Sequence, residues 1–133
     1  MRKTSIFLVV VLVSTLALIG CRKRVPIENP TANISVSKSL TQAQVRTAIF
    51  AACPMTGWTP RDISSNIVEA SLTVRGRHHV VVEIEYSTSM YKINHKSTVN
   101  LDEKDGSIHP NYNKWVNTLR QNIDRSLAIE ASR

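Results

Sequence analysis

The hydrophobic pattern predicts an α+β fold: a two-layer sandwich in which a three-stranded antiparallel meander packs against two helices, in the order α-β-β-β-α. Three observations carry this. Apolar residues recur at helical spacing after Thr41 and again after His109. Between those stretches, three runs alternate apolar with polar residues. Short turn sequences separate the runs, and these suit antiparallel neighbours rather than parallel crossovers.

The first helix has a clear start. Thr41 is a good N-cap and Gln44 stands three residues on, which completes a capping box, while Leu40 and Val45 form a hydrophobic staple. Val45, Ala48, Ile49 and Ala52 make its apolar stripe, and Pro54 ends it. Gly57-Trp58-Thr59-Pro60 is a turn into a short extended piece. In the first strand Val68, Ala70, Leu72 and Val74 alternate with polar residues; in the second, Val80, Val82, Ile84 and Tyr86 do so. The third strand puts Tyr91, Ile93, Val99 and Leu101 on the core face and Lys92, Asn94, Lys96 and Thr98 on the other. If the apolar sets share a face, Val74 pairs with His78 and Tyr86 with Tyr91. Gly76 is then free to take positive φ in the first turn, and Glu85 lies opposite Lys92. Asp105-Gly106 closes the strand region. His109-Pro110-Asn111 opens the second helix, whose stripe is Tyr112, Trp115, Val116, Leu119, Ile123 and Leu127.

The N-terminus sets the address. Arg2 and Lys3 precede an apolar run from Ile6 to Ile19. As a helix that run rises about 21 Å, short of the roughly 30 Å hydrocarbon core, so it reads as a signal-peptide h-region. Leu18-Ile19-Gly20-Cys21 directly follows and resembles the lipobox of bacterial lipoproteins. A small residue at Gly20 lets a peptidase approach the backbone before Cys21, and the cysteine thiol is the group that receives diacylglycerol. The resemblance implies cleavage between Gly20 and Cys21, acylation of Cys21 (palmitate-type chains), and an anchor in the bilayer; two or more acyl chains anchor stably. Arg22, not Asp, follows the cysteine, which implies the outer membrane, facing the periplasm. Residues 1–20 are thus a signal peptide, 21–38 a lipidated N-terminus and flexible tether rich in proline and small polar residues, and 39–133 one domain. Ile34 and Val36 alternate, and a short edge strand is the other reading of that stretch.

Loss of Arg2 and Lys3 with the signal peptide lowers the formal charge from +7 to about +5. Arg22, Lys23, Arg24 and Glu28 account for a net +2 of this, leaving the rest mildly basic. Such a balance in an exported chain does not point to nucleic acid, whereas basic residues beside a lipid suit anionic headgroups. With Cys21 lipidated, Cys53 has no intramolecular partner, and its neighbours Ala51, Ala52 and Met55 predict burial.

No residue set converges on a reaction or a cofactor. His78 and His79 are adjacent on a strand and point to opposite faces, so they do not share a metal ion, and none is expected. His95 falls on the core face of the third strand and His109 in a loop. Glu83 and Glu85 share a face, but among Arg75, Lys92 and Lys96 they read as a salt-bridged surface. There is no nucleophile elbow and no glycine-rich phosphate loop. Trp115 lies on the apolar stripe and belongs to the core; Trp58, beside Gly57, either covers the core or lines a shallow groove. The best candidate partner surface is therefore Trp58 with the mixed face of Arg75, Glu83, Glu85 and Lys92. The expected function is a non-enzymatic envelope module that binds another protein, with a small-ligand or cell-wall binder as the alternative.

Cys-Pro-Met-Thr-Gly-Trp (53–58), Arg-Gly-Arg-His-His (75–79), Tyr91-Lys92-Ile93 and the stretch Ile108 to Val116 together resemble a family of small uncharacterised proteobacterial lipoproteins over roughly residues 40–128. The resemblance implies the location and the fold and brings no catalytic residues. The predicted element order is also similar to helix-grip domains of lipoproteins that serve outer-membrane assembly, a likeness of fold alone.

Overall fold

The computed structural model describes residues 23–133. The h-region, Gly20 and Cys21 lie outside the described residues. The elements run β1 Val25–Pro26, β2 Thr31–Asn33, α1 Gln42–Ala52, a 3-10 turn Cys53–Thr56, β3 Thr59–Ser64, β4 Ile67–Val74, β5 His78–Tyr86, β6 Met90–Val99, β7 Ser107–Ile108 and α2 Pro110–Ala131.

The expectation of a three-stranded meander with a helix at each end is wrong. The main sheet has five antiparallel strands in the order β2-β6-β5-β4-β3, and β1 and β7 form a second, two-stranded sheet. Both extra strands of the main sheet are edges. β3 reads Thr-Pro-Arg-Asp-Ile-Ser and is almost wholly exposed, so it carries no apolar alternation; proline is tolerated there because an edge leaves one side of the ladder unused. β1 and β2 come from the segment expected to be a tether.

Inside that sheet the central pairings follow the apolar pattern. Val74 faces His78, Tyr86 faces Tyr91 and Glu85 faces Lys92. Arg75 (φ 54°) and Gly76 (φ 66°) both turn through positive φ between β4 and β5. Asp105 (φ 50°) and Gly106 (φ 76°) do the same between Lys104 and Ser107, whose N–H groups donate to each other's carbonyls at 2.8 and 2.9 Å. Two central residues of positive φ are the signature of a type I′ hairpin turn.

One face assignment fails beyond the middle of β6. A bulge at Lys96 shifts the register, so that Val82 faces His95 while Val81 faces Ser97. The extra residue reverses the parity of the rest of the strand. Val99, expected in the core, is 51% exposed on the open face. Leu101 regains the core through a left-handed Asn100 (φ 61°).

α1 begins with the full capping box, Thr41 Oγ1 accepting from Gln44 N and Gln44 Oε1 from Thr41 N. α2 is capped by His109, whose Nδ1 accepts from Asn111 N at 3.1 Å, with Pro110 in the first turn. Both helices cover one sheet face. Val45, Ile49, Leu119, Ile123 and Leu127 meet Val68, Val82, Ile84, Tyr91 and Ile93, all essentially inaccessible to water. Each such side chain contributes about 1.5–3 kcal/mol on burial. No helix among the described residues is long and apolar enough to cross a membrane.

The N-terminal segment is laced across this body by side-chain amides. Asn113 Nδ2 donates to Pro26 O at 2.9 Å and its Oδ1 accepts from Glu28 N at 3.2 Å. Asn29 Oδ1 accepts His95 N at 2.7 Å beside the bulge, and Ile93 N donates to Pro30 O.

Cys53 is wholly buried and reduced. Burial pushes its thiol up from the ordinary 9.0 to about 12. A thiol-specific reagent is therefore expected to label Cys53 only when the domain unfolds. Between about pH 9 and 12 the unfolded chain loses the thiol proton and the folded chain keeps it, so stability falls as pH rises through that window. Buried Tyr91 and Tyr112, also raised by burial, act in the same direction. Urea midpoints of wild type and Cys53→Ala at about pH 8 and pH 10 isolate the thiol's share. An equal alkaline loss in both would show that Cys53 has none.

Candidate binding surfaces

The five residues expected to share a partner surface do not lie together. Glu83, Glu85 and Lys92 project from the sheet face that neither helix covers, because they occupy the parity opposite Val82, Ile84 and Tyr91. Trp58 is 2% exposed and sits in the core. Gly57 takes a left-handed φ of 84°, and Trp58 N then donates to Cys53 O at 3.0 Å, which turns the indole inward as β3 begins. Arg75 occupies the β4–β5 turn, at one end of the molecule.

The open face carries a connected ion network across three strands and the bulge. Arg61 Nη2 meets Glu69 Oε1 at 2.8 Å; Lys96 Nζ lies 2.9 Å from Glu69 Oε2 and 2.8 Å from Glu83 Oε1. Hydrogen bonds from Arg61 and then Lys96 hold the Glu69 carboxyl below its usual range. Lys96 is raised by Glu83 and then Glu69. In the neighbouring row Thr31, Lys92, Glu85 and Ile67 stand side by side. This face presents charges in fixed positions, a surface suited to specificity more than to apolar affinity.

A cleft of about 610 Å³ opens where the β4–β5 turn, the loop after β6 and the start of α2 converge. Val74, Leu101 and the half-buried Trp115 supply the apolar part of a mostly polar lining. Arg75 and Arg77 supply positive charge at the rim and, among the described residues, Asp102 the single carboxylate. Two imidazoles are fixed in it. His78 Nδ1 lies 2.8 Å from Asn100 O; a carbonyl only accepts, so the proton is on Nδ1 and Nε2 is left free. His109 has the opposite tautomer, since its Nδ1 accepts from Asn111 N, and its ring proton is on Nε2. The His78 ring stands 6.4 Å from that of Trp115. Asn100 also donates from Nδ2 to Arg77 O at 2.7 Å, tying the turn to the end of β6.

Three non-glycine residues of the rim have left-handed backbones: Arg75, Asn100 and Asp102 (φ 53°). Asn and Asp tolerate this region, and Arg does so at greater cost. Such residues gather at ligand sites more often than elsewhere.

The sequence pattern misses this cleft because its parts are far apart in the chain. The usable signal is the clustering of Arg75, Arg77, His78 and His109 at two turn positions.

Elsewhere, His95 Nε2 lies against Glu103, which also accepts from Thr98 Oγ1 at 3.0 Å. The ring of His95 meets that of Tyr112 edge-on at 5.4 Å. Among the described residues no three His, Cys, Asp or Glu side chains gather as metal ligands. Comparison with known proteins finds no matching family model, no matching curated protein and no matching solved structure.

Proposed function

We propose that this chain is a bacterial envelope lipoprotein of the small proteobacterial type, anchored through acylated Cys21 to the periplasmic side of the outer membrane. Its domain acts as a non-enzymatic accessory module for another envelope protein. The observation that carries the reading is the lipobox-like Leu18-Ile19-Gly20-Cys21 after a leader too short to span a bilayer. On this reading β1, which begins four residues beyond Cys21, draws the domain toward the anchor. The uncovered sheet face of Glu83, Glu85 and Lys92 is the surface offered to a protein partner. A second reading, a small-ligand binder, is favoured by the polar cleft around Trp115 rather than by Trp58.

Metabolic labelling with a tagged fatty acid tests the anchor. Label is expected on the wild type and not on Cys21→Ser, which should also leave the outer-membrane fraction. Unlabelled wild-type protein would sink the reading. Photo-crosslinkers at Glu85 and Lys92 test the module. The same envelope protein should be captured from both sites and not from Lys114 on the exposed side of α2. Equal capture from all three would remove the sheet face from consideration.

A further inference from the structure

We infer that the cleft between the β4–β5 turn and the start of α2 is a binding site for the phosphodiester of an anionic lipid headgroup in the membrane to which the domain is anchored. This rests on the lipoprotein reading above and adds a second, non-covalent attachment.

Placement is the first argument. β1 runs antiparallel to β7, so Val25 lies opposite Ile108 and Pro26 opposite Ser107. The chain therefore comes to Val25 past His109, a lining residue of the cleft. Cys21 is four residues before Val25, a reach of about 14 Å at most. A lipid on Cys21 would keep the His109 side of the domain within that reach of the bilayer surface, and His109 lines the cleft.

Chemistry is the second. Arg75 and Arg77 bring two guanidiniums, whose planar forks match phosphate oxygens. His109, with its proton fixed on Nε2, is a further donor. The positive end of the 22-residue α2 adds to the field. Against two arginines stands one carboxylate, Asp102, so the charged lining balances a monoanionic phosphodiester better than a dianionic phosphate. Asp102 in turn accepts hydrogen bonds from headgroup hydroxyls, which a glycerol headgroup supplies. Trp115, half-buried with His78 beside it, is the kind of amphipathic ring that settles at the membrane–water interface.

The test places the mature lipidated protein in nanodiscs of phosphatidylcholine, with or without phosphatidylglycerol, and follows tryptophan emission and acrylamide quenching. Trp58 is buried and constant, so changes report Trp115. Phosphatidylglycerol should shift the emission to the blue and reduce quenching. The response should vanish in Arg75→Gln/Arg77→Gln, whose two sites are exposed turn residues, and persist in Lys23→Gln/Arg24→Gln. A soluble short-chain phosphatidylglycerol should compete it away from the wild type, which reads the site without relying on a variant. Four results would overturn the inference: the same signal on phosphatidylcholine alone, survival in the double cleft variant, loss in the Lys23/Arg24 variant, or an equal response to inorganic phosphate, which would indicate a free-anion site. The anchor fails separately. If Cys21 carries no acyl label, the short-chain lipid titrated against Cys21→Ser in neutral detergent still reports the cleft.

Discussion

Trp58→Ala is expected to lower the unfolding free energy by about 3–5 kcal/mol, the range for removing a large aromatic from a packed interior. Trp58 heads the group of largest fully buried side chains, and it sits where the 3-10 turn hands over to β3. The void left there opens inside the close-packed core cluster, so only part of the cost is recovered by collapse. Domains of this size have about 5–15 kcal/mol in total, so the loss is a large fraction of the whole. Trp115→Ala is expected to cost less, because its ring is only partly buried and lines the cleft. Urea unfolding followed by far-UV circular dichroism measures both. A loss below about 1 kcal/mol for Trp58→Ala, or a larger loss for Trp115→Ala, would reverse the assignment of the two tryptophans.

That assignment shows where sequence reading reaches and where it stops. Trp115 lies on the apolar stripe of α2 by spacing, yet it is only partly buried: its neighbours Tyr112 and Val116 take the core positions of these turns and Trp115 lines the cleft beside them. Trp58 carries no periodic signal, and only the left-handed Gly57 turns it inward. The strands β4 and β5 and the stripes of both helices are legible because their residues alternate between core and solvent. Edges are not. β3 is held by backbone pairing with β4 and by the Arg46–Asp62 ion pair and leaves no hydrophobic period; β2 is held by backbone pairing with β6, and its only trace is the short alternation that continues through Ile34 and Val36. The bulge at Lys96 is equally silent. It inverts the faces of Thr98 and Val99 without any glycine or proline to mark it. The same limit governs the functional surfaces. Glu83, Glu85 and Lys92 share a face because parity within a strand is local, whereas the cleft joins residues 75 to 78 with 100 to 115 and needs the whole topology.

Asn113→Ala is expected to free the N-terminal segment from the body. Asn113 is 9% exposed, and its side-chain amide serves the chain twice, donating to Pro26 O and accepting from Glu28 N. Alanine removes both bonds, each worth about 1 kcal/mol net, and strands a donor and an acceptor against the protein. The segment escapes that penalty by lifting into water, so the loss is local. A cost of about 2 kcal/mol corresponds to a roughly 30-fold rise in the opening equilibrium of residues 25–33. Hydrogen exchange reads this directly. The amides of Ile27, Glu28 and Ile34 should exchange faster by that factor, while those of β4 and β5 keep their protection. Uniform acceleration across the sheet would mean instead that β1 and β2 open only with the whole domain. The local outcome bears on the membrane. With β1 and β2 in place the body begins four residues from Cys21. With them released the first fixed point is α1, about 20 residues away, and a flexible chain of that length averages roughly 25 Å. On the proposed anchor at Cys21, Asn113 would then set the standoff of the domain from the bilayer, and the variant should weaken the proposed response of the cleft to anionic lipid without changing acyl labelling.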